Sequence, residues 1–133
     1  MIVVADASVA LKWFLPGDTE DDTGKALELL EAAAFGRLQL VQPVHFIAEV
    51  AAVLARLKPA QAQDDLLDLL HIEQQIADSP EIYATAIELA EQLDHHLFDT
   101  LYHAVAQHTP EAIFVTADRR YHAKRNTWEA SCH

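Results

Sequence analysis

Very little in this chain can cross-link it. Among its 133 residues Cys132 is the only cysteine, which excludes an intramolecular disulfide framework and suits a reducing compartment. Glycine is nearly as scarce. Gly17, Gly24 and Gly36 stand apart, so neither a P-loop nor a dinucleotide-binding fingerprint is present. Long apolar runs are missing too. The longest uncharged stretches, such as residues 38–48, fall short of the ~18 apolar residues that a membrane span needs. The N-terminus has no basic region leading into a long apolar one, so a secretory signal is not expected. The expectation is a soluble, cytoplasmic protein with no membrane partner. Positive charge is the last shortage: 9 Lys and Arg against 21 Asp and Glu give a net charge of −12. That excludes coating of nucleic acid by nonspecific phosphate neutralisation, which needs a basic surface. It does not exclude an enzyme that meets phosphate through bound cations, because a metal-holding carboxylate cluster is itself acidic. For most of the acids, solubility is a sufficient reason.

What is present suffices for one core. The length suits a single domain spanning residues 1–133, and a hydrophobic content of 51% lets it fold without staples. Neither internal repeats nor low-complexity linkers interrupt it. Ile2–Ala5 reads as a buried strand, and Ser8–Leu15 as a short helix stopped by Pro16. Thr19–Ala34 is helical, with Ala26, Leu29, Leu30 and Ala33 on one face. Leu38–Val41 is a second strand. Helices follow over Val44–Leu57, Ala60–Ile72, Glu81–Leu93 and Asp99–His108. Ile113–Thr116 is an apolar, β-branched strand, Asp118–Arg125 a short basic helix, and the tail from Thr127 is left unassigned.

Short apolar strands alternating with helices predict an α/β domain: a three-layer sandwich with a central, mostly parallel sheet flanked by helices. Such sheets bind ligands beyond the carboxyl ends of their strands, near a switch in strand order. Asp6 follows the first strand and Asp118 follows the strand at Ile113–Thr116. If those strands are neighbours, the two carboxylates converge.

Two further acids keep apolar company. Glu49 lies inside "FIAEVAAVLAR". A carboxylate there must face solvent, pair with a cation or hold a metal, because an unpaired buried charge is costly. Asp99 lies in "LFDTLYHAVA", at the expected first turn of a helix, where an Asp also serves as a cap and complements the helix dipole. Taken singly, each has a structural explanation as good as a functional one.

Taken in order, "DASVALKWFLP", "EVAAVLAR", "FDTLYHAVA" and "FVTADRRYH" resemble the PIN domain family, and within it the VapC-type ribonuclease toxins of bacterial and archaeal toxin–antitoxin pairs. The resemblance runs over essentially the whole chain and resides in the ordered combination of these stretches. It implies a parallel sheet between helices, in agreement with the fold read from the residues. It also implies that Asp6, Glu49, Asp99 and Asp118 form a metal-binding acidic cluster, with Ser8 and Thr116 as hydroxyl groups beside it. Family members commonly form homodimers, and a toxin has a cognate antitoxin.

The chemistry suits that implication. Phosphodiester hydrolysis needs an activated nucleophile, charge stabilisation on the phosphoryl oxygens and help for the leaving oxygen. Mg²⁺ or Mn²⁺ held by carboxylates supplies all three, and such hard cations prefer Asp and Glu to Cys. On this basis Asp6, Asp99 and Asp118 are metal ligands. Glu49 is a ligand, direct or through water, or it positions the attacking water. Arg119 and Arg120 are candidates to meet RNA phosphates, with Lys12 beside them and Lys124 and Arg125 as ordinary surface charges. His103 stands where the family usually has an aliphatic residue. With His95 and Asp99 it makes an i, i+4, i+8 row that either mimics a zinc stripe or is a partly exposed histidine on a helix face. The remaining histidines are assigned no role. A receiver domain would need a further acidic pair at the first strand end, and a haloacid-dehalogenase-type phosphatase a second Asp where Ser8 stands. The alternative from another class is a catalytically silent PIN domain acting as a binding module, whose usual mark is the loss of one carboxylate. Apolar residues at 32–35, 50–57 and 66–70 exceed what a monomer needs to bury, which points to a homodimer.

Overall fold

The structure is a computed structural model that describes residues 1–15, 21–118, 120, 121, 123 and 124. Pro16 and Thr19 as helix boundaries, the candidate phosphate contact Arg119, Arg125, Cys132 and the tail lie outside the described residues. The elements run β1 (Ile2–Ala5), α1 (Ala7–Leu11), α2 (Asp21–Ala34), β2 (Gln39–Gln42), α3 (Phe46–Leu57), α4 (Ala62–Leu70), β3 (Gln74–Ile76), α5 (Pro80–Leu93), α6 (Leu97–Gln107) and β4 (Ala112–Val115).

The four strands form one sheet in the order β3-β2-β1-β4, and every pair is parallel. β1 lies inside it and is buried on both faces, which is why it reads as a continuous apolar run instead of an alternating one. Val4 faces a large core shared with Phe46, Val50 and Leu54 of α3, Leu69 of α4, Leu89 of α5 and Tyr102 of α6. Val3 and Ala5 face the opposite layer, with Leu40 of β2 and Ala26 of α2. The sheet is therefore sandwiched between helices. Val50 and Leu54 belong to the core and are not the surplus apolar surface the sequence suggested. Phe35, Leu57, Leu67 and Leu70 are the exposed large apolar residues of that set.

Several boundaries differ from expectation for identifiable reasons. α1 ends at Leu11, where the helix was expected to reach Leu15, because the next backbone bonds, from Lys12, Trp13 and Phe14 N–H to the Val9, Ala10 and Leu11 carbonyls, span three residues and form turns, and the residues beyond are held by side-chain bonds. Lys58 Nζ donates to the Phe14 carbonyl at 2.7 Å, and Trp13 Nε1 donates to the Ala26 carbonyl at 2.7 Å. β3 was not anticipated. Its sequence is QQI, short and mostly polar, and only its pairing with β2 makes it a strand. α5 has a textual start signal in Ser79, whose hydroxyl accepts from the Ile82 N–H at 3.3 Å, with Pro80 as the first helical residue. α6 starts two residues before Asp99. His96 occupies the cap position without a side-chain hydrogen bond, so Asp99 is an acid of the first turn and not the cap.

At the carboxyl end of the sheet, β1 and β2 are joined by a side chain. The Ala5 N–H donates to Gln42 Oε1 at 3.1 Å, and Gln42 Nε2 donates to the Ala5 carbonyl at 2.7 Å. The amide reproduces a peptide's donor and acceptor at a point where the backbones themselves are not paired, and it is fully buried. Gln42→Leu strands both Ala5 groups. The expected outcome is a loss of ~2–4 kcal/mol in urea unfolding, since an unsatisfied buried group costs ~1–3 kcal/mol. A change below ~1 kcal/mol would show that the bridge is dispensable.

Candidate active site

β1 and β4 pair in register from Ile2 with Ala112 to Ala5 with Val115, so Asp6 and Thr116 leave the sheet side by side. The Asp6 N–H extends the ladder to the Val115 carbonyl at 3.2 Å. Its carboxylate caps α1 by accepting from the Ser8 N–H at 3.1 Å and also accepts from the Ser8 hydroxyl. The Thr116 hydroxyl lies beside the same carboxylate and favours its ionised form. Ser8 Oγ in turn accepts from the Ala117 N–H at 3.0 Å, and Thr116 Oγ1 accepts from the Asp118 N–H at 3.0 Å. The two hydroxyl residues thus tie the end of β1 to the segment that carries Asp118. As a residue Asp6 keeps an accessible edge, yet burial of its carboxyl raises its pKa to about 6, against the lowering effect of the hydroxyl groups.

Asp118 divides its oxygens between two tasks. Oδ1 accepts from the N–H groups of Arg120 and Tyr121 at 3.0 and 3.2 Å, which caps the short helical segment that follows. Oδ2 lies 3.9 Å from His95 Nε2. Asp99 Oδ2 is 3.0 Å from the same nitrogen. The Asp99 carboxyl is raised above the usual range chiefly by burial. His95 lowers it, and the charges of Glu49 and Asp118 raise it.

Glu49 projects from the first turn of α3 towards these groups. Its Oε1 accepts from the Tyr102 hydroxyl at 2.6 Å and lies 2.9 Å from His45 Nε2. The same His45 nitrogen is 2.7 Å from the Phe98 carbonyl, which fixes it as a donor. Tyr102 is buried in the core. Burial and the bond to Glu49 push its hydroxyl above the usual range, so it remains a donor.

The four acids therefore meet at one end of the sheet, but not as one evenly spaced cluster. Among the described residues, the set whose ligand atoms lie within 4.8 Å of one another is His95, Asp99 and Asp118. Asp6 and Glu49 stand outside that trio, but Glu49 raises Asp99 and Asp99 in turn raises Asp6. The histidines that pair with the four acids among the described residues are His45 and His95; the sequence assigned His45 no role and read His95 only as part of the row with Asp99 and His103. The spacings His45–Glu49 and His95–Asp99, both i, i+4, were the available hint. His103 is not part of a zinc row. It is buried, its Nδ1 is 2.9 Å from the Tyr121 hydroxyl, and it stacks on Phe114 at 5.5 Å.

The cationic candidates fare unevenly. Arg120 is exposed next to Asp118. Lys12 borders a small cavity of about 70 Å³ that also touches Thr116 and Ala117. Lys124 is no ordinary surface charge, because its ammonium reaches the Asp94 carbonyl at 2.8 Å and His95 Nδ1 at 3.2 Å. A larger cavity of about 590 Å³, bordered by Met1, Arg37, Gln39 and Gln75, opens at the amino ends of the strands and holds none of the four acids.

A family model described as PIN domain matches residues 3–126. No curated protein matches the chain. Among solved structures, VapC20 of Mycobacterium tuberculosis, described as a sarcin-ricin loop cleaving toxin, shares the fold with a TM-score of 0.65. It is 17% identical, over 92% of this chain and 95% of that one.

The raised pKa of Asp6 has a stability consequence whose sign is fixed. A carboxyl at about 6 in the fold, against 3.8 as the ordinary value, binds its proton more tightly when folded. Its favourable contribution is complete below pH 3.8 and is lost as pH rises through about 6. At neutral pH the ionised group costs up to about 3 kcal/mol without a cation. Asp6→Asn should therefore raise the melting temperature in EDTA at pH 7.5 and gain much less at pH 4. An equal gain at both pH values would show that the buried charge is not the cause.

Proposed function

Because the chain belongs to the PIN domain family, we propose that it is an endoribonuclease that hydrolyses RNA phosphodiester bonds with Mg²⁺ or Mn²⁺ at Asp6, Glu49, Asp99 and Asp118. The observation that carries this is the crowding of those carboxylates against their electrostatic preference. Asp6 and Asp99 are both raised, chiefly by burial and further by the charges of neighbouring carboxylates, and among the described residues only histidines pair with the group. An all-oxygen donor set of like charges at a sheet edge fits a hard divalent cation. When bound, such a cation neutralises phosphoryl charge and activates water.

The chain's own residues account for the rest. Asp6, Asp99 and Asp118 are the holding carboxylates. The Ser8 and Thr116 hydroxyls fix the orientation of Asp6. Glu49, oriented by Tyr102 and His45, holds or positions the attacking water. Arg120 and Lys12 meet the RNA backbone. With a sarcin–ricin loop RNA among the substrates tested, cleavage should appear with Mg²⁺ or Mn²⁺ and stop in EDTA. Asp6→Asn and Asp118→Asn should each reduce it by on the order of 10²-fold or more. Full cleavage in chelator would refute the proposal.

The likeness to a toxin extends the proposal to a VapBC-type pair, with an antitoxin that covers the acids by inserting an Arg or Lys. The chain's net charge of −12 favours capture of a locally basic segment. Exposed Phe35, Leu57, Leu67 and Leu70 support a homodimer. Light scattering at micromolar concentration should give twice the chain mass, and a monomer mass would remove the dimer from the proposal.

A further inference from the structure

His95 is held by one short stretch of chain. Asp118 Oδ2 lies 3.9 Å from its Nε2, the Tyr121 ring meets its ring edge-on at 4.8 Å, and Lys124 Nζ lies 3.2 Å from its Nδ1. These three residues recur every third position, as neighbours along one side of a helical segment do. Lys124 is itself anchored by donating to the Asp94 carbonyl at 2.8 Å, at the left-handed residue that closes α5.

An ammonium offers donors only, and a neutral imidazole has one donor and one acceptor nitrogen. Nδ1, which faces Lys124, must accept. The ring proton then resides on Nε2 and is donated to Asp99 Oδ2 at 3.0 Å. The spacing of His95, Asp99 and Asp118 alone suits a nitrogen ligand to a metal, but a protonated nitrogen has no lone pair to give. We infer that Lys124 fixes His95 as its Nε2–H tautomer, so that His95 is a positioning residue for Asp99 and not a metal ligand, and the site keeps an all-oxygen donor set.

The inference rests on the metal site proposed above and adds a selectivity device to it. Carboxylate oxygens favour Mg²⁺ and Mn²⁺, whereas an available imidazole nitrogen would draw in Zn²⁺. Lys124 would thus decide the metal preference of a site it does not enter. Removing its ammonium lets the proton move to Nδ1 and exposes a nitrogen lone pair beside Asp99 and Asp118.

The first test needs no variant to function. Long-range ¹H–¹⁵N correlation spectra of the metal-free, ¹⁵N-labelled chain report the tautomer of His95, whose signals are identified by their loss in His95→Gln. The expected pattern is Nε2–H in the parent and a shift towards Nδ1–H in Lys124→Met. The second test follows Mn²⁺ occupancy through the free-ion electron paramagnetic resonance signal. His95→Gln retains an N–H in place of Nε2–H, so Mn²⁺ affinity should stay within about twofold of the parent, while His95→Ala should lose about tenfold. Lys124→Met should let Zn²⁺ displace Mn²⁺ at concentrations several-fold lower than in the parent. An Nδ1–H parent, or a Gln variant as weak as the Ala variant, overturns the inference. A parent that binds no Mn²⁺ refutes the metal-site proposal instead, and the tautomer measurement still decides the role of Lys124.

Discussion

β1 and β4 run side by side in the same direction, and that pairing is what sets Asp6 and the Thr116–Asp118 segment within hydrogen-bond reach. A parallel ladder has a fixed, slanted register. Once Ala5 is opposite Val115, the next residues of both strands leave the sheet together. Ser8 and Thr116 then close the gap between the two exits, each beside the Asp6 carboxylate and bonded to a backbone or backbone-linked group on the β4 side. Gln42 secures the other flank of β1 in the same way. The end of β1 is thus fixed from both neighbours before any helix brings in a further acid.

On that base, the site is assembled by acids that serve the fold with one atom and the site with another. Asp6 and Asp118 each cap the start of a helical segment. That use pins their side chains, so little rotamer entropy remains to be lost when a ligand binds. Glu49 and Asp99 gain their orientation differently, from a histidine four residues earlier in each case. A histidine suits this position better than Lys or Arg. It can hold a carboxylate by a hydrogen bond without contributing a permanent charge that would compete with a cation.

The sequence carried the architecture well because the central strand, buried on both faces, writes itself as the apolar run Ile2–Ala5, and the edge strand Ala112–Val115 is apolar too although Ile113 is exposed. The acids were legible because a carboxylate directly after such a run, or within an apolar helix, has few reasons to be there. What was not legible depended on contacts far apart in the chain. β3 is polar and short, and only its pairing with β2 makes it a strand. His103 reads as partly exposed until Tyr121 and Phe114 close over it. Lys124 reads as surface charge until the corner at Asp94–His95 comes beneath it. In each case the missing information was the identity of a neighbour more than ten residues away, which local periodicity does not encode.

The shortage of positive charge also shapes how RNA and this site must meet. A polyanion approaching a chain of net charge −12 is repelled over a Debye length, ~8 Å at physiological salt. The repulsion is strongest where the charges of Glu49 and Asp118 add to the cost of ionising Asp99. Exposed cations such as Arg120 sit at that edge and offset only part of it. A divalent cation held by the carboxylates, as the proposed function requires, would remove the repulsion where the scissile phosphate would sit and leave it elsewhere on the surface. Under the proposed function, the same acidity that excludes nonspecific RNA coating would confine productive contact to the metal-loaded site, so that metal binding would precede RNA binding and select the place where it occurs.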